Sequence, residues 1–127
     1  MNHKLTDAQI MREIEELPPN LHYAVTPDMI RIAFEWLDAQ TKLKRPNPRP
    51  KVSKHTIEQW AGRYVSEPAV NIAAALHPEI GGDYPYYNVS SRLIRPHTRC
   101  LSQIAEAGIH PNYFSKAVYD DYATDEP

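Results

Sequence analysis

Apolar side chains recur three and four residues apart through most of the chain, and no stretch sustains the alternation of a half-buried strand. The first run starts at Thr6, whose hydroxyl suits a helix cap with Gln9 reaching back from three residues on. Ile10, Ile14 and Leu17 then share one face until Pro18 and Pro19 stop it. A second run opens with Thr26 as cap and Pro27 at the first helical position. Ile30, Ala33, Phe34 and Leu37 form its face, widened by Met29, Ile32 and Trp36. So broad an apolar face predicts a helix with neighbours on more than one side.

Ser53 caps a predicted third helix carrying Ile57, Trp60, Ala61 and Tyr64, and a break near Ser66 starts a fourth with Pro68 in its first turn. From Ala69 to Leu76 only Asn71 is polar, which predicts a buried centre where small side chains let helices approach closely. Pro78 ends it, Gly81, Gly82 and Asp83 form a turn, and Tyr84, Tyr86 and Tyr87 follow as rings that something must cover. Asn88 suits a cap for a short helical turn through Val89, Leu93 and Ile94, with a brief strand over the same residues as the alternative. Pro96 opens a predicted helix that turns Leu101, Ile104 and Ala105 inward and closes at Gly108. Pro111 opens a last one that aligns Phe114, Ala117, Val118 and Tyr122. The expected fold is all-α: a compact bundle of about five to six helices around the buried alanine-rich helix. It forms one domain over 1–127, with a basic proline-rich loop at 42–53 and a frayed acidic tail at 124–127.

The length of 127 residues fits one core better than two. With 42% hydrophobic and 24% charged residues, composition argues against wholesale disorder. No apolar run reaches membrane-spanning length and the start lacks an export signal, so a soluble, cytoplasmic protein is expected. Cys100 is the single cysteine, which excludes an internal disulfide and a multi-cysteine zinc site; it reads as a small core residue. The net charge of −2 hides an uneven distribution. Residues 42–54 hold all of Lys42, Lys44, Arg45, Arg49, Lys51 and Lys54 and no acid, whereas the segments before and after are acidic or balanced.

That cationic stretch is a candidate for tracking a phosphate backbone, and equally a solvated connector. With Arg63 and a third helix presenting Lys54, His55, Glu58 and Gln59, it supports a DNA-binding reading. The following helix is too apolar for the usual base-reading role, and Glu58 would face phosphates. A second candidate is the tyrosine turn, Tyr84, Tyr86 and Tyr87, with Arg92, Arg95 and Arg99, which a helical reading places on one face. Tyrosine and arginine are the residue types that anchor protein interfaces, although the rings also suit a lid over the alanine-rich helix. Six histidines supply no zincin-type ligand set, and three of them, His77, His97 and His110, adjoin proline at helix ends. There is no Gly-x-Ser-x-Gly elbow and no glycine-rich phosphate loop, so neither a cofactor nor a metal is expected. His55 with Glu58, and Cys100 with a histidine, are the remaining acid–base or nucleophile pairings.

The stretch His55-Thr-Ile-Glu-Gln-Trp-Ala-Gly-Arg-Tyr-Val-Ser66, followed by Ala-Ala-Ala-Leu76, resembles a pattern in small uncharacterised proteins of bacterial plasmids and phages. The resemblance covers about a quarter of the chain and brings no assigned activity. It implies an accessory protein of a mobile element. The leading expectation is a non-enzymatic regulator or inhibitor that binds a protein partner, alone or as an oligomer; the alternative is a DNA-binding transcriptional regulator.

Overall fold

A computed structural model describes residues 5–113 and 122–127. Helices dominate. The first, α1 (Asp7–Glu16), carries the reciprocal capping box between Thr6 and Gln9, and buries Ile10 and Ile14. A 3₁₀ turn at Pro19–Ala24 leads into α2 (Pro27–Asp38), whose cap Thr26 accepts the Met29 N–H. Helix α2 buries Met29, Ile30, Ile32, Ala33, Phe34, Trp36 and Leu37, more of its circumference than any other helix described. It packs chiefly on α4 (Glu67–Leu76) and also touches α1 and α3 (Lys54–Ala61), so α2 is the hub. The alanine-rich α4 was expected at the centre. It buries Ala69, Val70, Ile72, Ala73 and Ala74 but leaves Asn71 and Ala75 in solvent, which makes it a wall of the core rather than its axis. None of these helices is long and apolar enough to cross a membrane.

Between α3 and α4 the chain reverses at Gly62, whose φ of 66° is the left-handed conformation that glycine adopts without steric penalty. This ends α3 before Tyr64, so that ring, expected on the helix face, lies exposed instead. Glu58 holds the turn from inside. Its carboxylate is buried and accepts the Val65 N–H (3.2 Å), while its carbonyl accepts the N–H groups of Gly62 and Arg63. The far end of the chain completes the site: Gly108 N–H reaches the Ala61 carbonyl (2.7 Å) and His110 N–H the Gly62 carbonyl (2.8 Å).

The structure departs from the expected helices after residue 88. Residues 89–95 are not helical: Val89 forms an antiparallel bridge with Lys42, the chain bends at Ser91 and Arg92, and β1 (Ile94–Arg95) pairs in parallel with β2 (Thr124–Asp125). The helical turn expected over 89–94 does not form, the strand alternative holds only at Ile94, and in the tail expected to fray Thr124 and Asp125 are paired. A side chain decides this. The Gln40 amide takes both backbone groups of Ile94, donating to its carbonyl (2.7 Å) and accepting its N–H (2.8 Å) as a neighbouring strand would. The segment expected to be helical from Pro96 is a 3₁₀ turn at Thr98–Gln103, followed by turns that leave Ala105 exposed and Ile104 buried. Pro111–Tyr113 is another 3₁₀ turn; Phe114, Ala117 and Val118 lie outside the described residues.

Candidate functional site

The basic loop is ordered by asparagines. Asn47, lodged between Pro46 and Pro48, is buried and saturated: its N–H donates to the Tyr87 carbonyl (3.0 Å), its amide donates to the Val89 carbonyl (2.9 Å) and Ser91 Oγ (2.8 Å), and its Oδ1 accepts the Arg49 N–H (2.9 Å). Asn88 does the same from the other side, donating to the carbonyls of Leu43 (2.9 Å) and Glu79 (3.0 Å) and accepting the Gly81 N–H (2.8 Å). Leu43 N–H meets the Asn88 carbonyl and Ser90 N–H the Thr41 carbonyl. Residues 41–49 and 81–91 are thus stitched into one seam, although proline there removes the donors a regular ladder needs.

The seam joins the two stretches that sequence singled out separately. Asn47 lies against Tyr87, next to Tyr86, and the Arg49 carbonyl accepts from Ser91 Oγ (2.7 Å), next to Arg92. Lys44, Arg45, Arg49, Lys51 and Arg92 are exposed, and among the described residues no hydrogen bond or ion pair engages their charged groups. Glu79 and Asp83 are the exposed acids of the same region. Tyr86 is 52% exposed.

The other candidate residues are held elsewhere. Lys42 is half-buried, donates to the Asp38 carbonyl (2.6 Å), and burial lowers its ammonium from the usual range. Tyr84 is partly covered: its hydroxyl accepts the Lys54 N–H (2.9 Å) and its ring meets Tyr87 edge-on, with centroids 6.2 Å apart. Tyr87 is sealed in the core. Its hydroxyl donates to Asn71 Oδ1 (2.6 Å), and burial raises its phenol above the ordinary tyrosine range. Two of the three tyrosines therefore form the lid, and only Tyr86 faces outward. The turn depends on Gly82, with φ of 97°, where a Cβ would stand 2.7 Å from the Tyr86 carbonyl oxygen.

Because the chain bends at residues 91–92 and is strand only at Ile94–Arg95, Arg92, Arg95 and Arg99 do not share a helical face. Arg95 Nε binds Asp125 (2.8 Å), holding that carboxyl below the usual range, and Arg99 reaches the Pro127 carbonyl (3.5 Å). Arg63 is buried and paired with Glu106 (2.6 Å). Glu106 also accepts from the Thr26 hydroxyl, so Arg63 ties the helices together and is not available to phosphate. Lys54 sits 4.9 Å over the Tyr64 ring and 3.7 Å from Glu58. With Thr56, Ile57, Glu58, Trp60 and Ala61 buried, α3 offers little beyond Lys54, His55 and Gln59 to a groove.

The possible reactive pairs are engaged in structure. His55 Nδ1 lies 3.0 Å from Glu58, whose other oxygen is committed to Val65. Glu35, Asp38, His97, Arg99, Cys100 and Glu126 line a cavity of about 90 Å³. Burial, reinforced by the Glu35 and Glu126 carboxylates, pushes the Cys100 thiol up to about 11, and Sγ donates to the His97 carbonyl (3.1 Å). His97 Nδ1 accepts the Arg99 N–H. A protonated thiol beside a capping imidazole is the reverse of an activated nucleophile. Among the described residues, no group of three or more His, Cys, Asp or Glu is placed to hold a metal ion. The hubs Gln40, Asn47 and Asn88 had no signal in apolar periodicity; an asparagine flanked by prolines in a polar loop is the one local hint. No protein-family model, curated protein or solved structure matches the chain.

Proposed function

We propose that the protein acts by binding, as a regulator or inhibitor, and that the seam surface of Lys44, Arg45, Arg49, Lys51, Arg92 and Tyr86 takes an acidic protein partner. The observation that carries this reading is the fixing of the basic loop on the tyrosine turn, with those five charged groups unengaged among the described residues. A loop already ordered by Asn47 loses little conformational entropy when a partner docks. Unpaired cations around one exposed phenol suit an acidic surface, accelerating encounter and discriminating against basic partners. The resemblance to small proteins of plasmids and phages, which often work by binding, agrees with such a role. The test is an affinity pull-down from the native cell with nuclease added, comparing wild type with a Lys44→Glu, Arg45→Glu, Arg92→Glu variant and with Tyr86→Ala. Loss of an acidic partner from both variants is expected; equal retention by all three proteins sinks the proposal.

The same cations favour a second reading, contact with phosphate backbones. Since α3 lacks a reading face and Arg63 is withdrawn, such binding would be independent of sequence and fall steeply with salt. Fluorescence anisotropy with a labelled duplex at low ionic strength separates the two: no binding there rejects the nucleic-acid reading alone.

A further inference from the structure

The segment from Tyr122 to Glu126 lies along residues 93–97 in the manner of a bound peptide. Two contacts are blind to sequence: Ala123 N–H donates to the Leu93 carbonyl (2.8 Å) and Glu126 N–H to the Arg95 carbonyl (2.9 Å). Three read side chains. The Trp36 indole N–H donates to the Tyr122 hydroxyl (2.9 Å), Arg95 Nε to Asp125 (2.8 Å) and the His97 N–H to Glu126 Oε1 (2.9 Å). Backbone ladder for affinity and alternate side-chain contacts for specificity are the way a sheet edge recognises an extended peptide.

The receiving strip is held from behind without the segment's help. Gln40 clamps both backbone groups of Ile94, the Trp60 indole N–H donates to the Pro96 carbonyl (2.9 Å), and Trp36 and Leu93 belong to the core. The occupying segment is weakly covered by comparison: Ala123, Thr124 and Asp125 are exposed, and the strand pairing is two residues long. Short, exposed pairings of this kind open far more readily than a core.

We infer that residues 93–97 with Trp36 form a docking site for an extended acidic peptide of another protein, one with a tyrosine three residues ahead of an Asp-Glu pair, and that residues 122–126 fill it in cis. The cis segment gates the site, because an outside peptide binds only the fraction of molecules in which the strip is open. This inference stands apart from the seam surface and does not rest on it.

The test uses the full chain and a fluorescein-labelled Tyr-Ala-Thr-Asp-Glu-Pro peptide, followed by anisotropy. A Tyr122→Ala, Asp125→Ala variant releases the cis segment and is expected to bind the peptide at least about tenfold more tightly than wild type. Adding Arg95→Glu is expected to abolish the gain. Because Tyr122 also packs on the core, an Asp125→Ala, Glu126→Ala variant that keeps it provides a second, smaller gain in the same direction, with far-UV circular dichroism reporting the fold. Equal affinity for wild type and both released variants, or equal binding of a scrambled peptide, overturns the proposal. Dimerisation of the released variants with no capture of peptide also overturns it, in favour of a second copy as occupant. The seam surface is read by Lys44→Glu with Arg45→Glu in the pull-down and this site by the gain in peptide binding that Arg95→Glu removes, so failure of one and failure of the other are read separately.

Discussion

The α2–α4 pair and the seam between 41–49 and 81–91 are both ordered, but by different physics. In the first, Ile30, Ala33, Phe34 and Leu37 and the small side chains of α4 remove apolar area from water, a non-directional gain that any well-packed set of similar volumes would approximate. In the second, order comes from Asn47 and Asn88, whose amides occupy carbonyls and N–H groups that irregular, proline-interrupted backbone leaves open. The first kind tolerates exchange of one aliphatic residue for another; the second tolerates almost none, because each amide atom has an assigned partner. Stability is concentrated in one region and shape specificity in the other.

Removing a core ring should give the largest effect. Trp36→Ala is expected to lower unfolding free energy by about 3–5 kcal/mol, measured by urea denaturation; a change within the surface range of about 0.5 kcal/mol would break the assignment of α2 as hub. Asn47→Ala comes next, at about 1–3 kcal/mol. Its signature is local: hydrogen exchange accelerates at the Leu43 and Ser90 amides, while α2 amides keep their protection up to the new global limit. Uniform acceleration would erase the distinction between the regions. Tyr87→Phe removes only the hydroxyl that donates to Asn71 and should lose about 0.5–1.5 kcal/mol, read as a shift in urea midpoint. The last effect is alkaline and vanishes at neutral pH. An unfolded Cys100 loses its proton near 9.0, whereas the folded thiol holds it to about 11. Its contribution is therefore complete below pH 9.0 and fades as pH rises toward 11. Cys100→Ala should flatten that part of the stability–pH curve; an unchanged slope would show the thiol to be solvated.

What was legible in the sequence follows the same division. Caps at Thr6, Thr26 and Ser53, the break near Ser66 and apolar periodicity located α1 to α4, because these are local signals set within one turn of helix. The seam was not, since Asn47 and Val89 are 42 positions apart and a side-chain amide bonded to distant backbone leaves no periodic trace. Gln40 misled in the same way: it holds Ile94 in a two-residue strand between a bend and a 3₁₀ turn, so spacing of three and four at Arg92, Arg95 and Arg99 is coincidence. Glu58 looked like a solvent-facing charge because its neighbours Lys54 and His55 are polar, yet it is the buried pin of the α3–α4 turn. The candidate cations Lys44, Arg45, Arg49 and Lys51 were recognisable from charge clustering; that Arg63 is withdrawn was not, since Glu106 lies 43 positions away, and Lys42 is taken up by a carbonyl four residues back, which a charge pattern does not register.

The two amides that Gly108 and His110 lend to the end of α3 have a consequence for synthesis. As the polypeptide leaves the ribosome, the carbonyls of Ala61 and Gly62 stay hydrated until residue 110 has emerged, some fifty positions later. The Glu58 contacts lie within the α3–α4 corner and need no later residue, whereas this second clasp closes only once residue 110 is free.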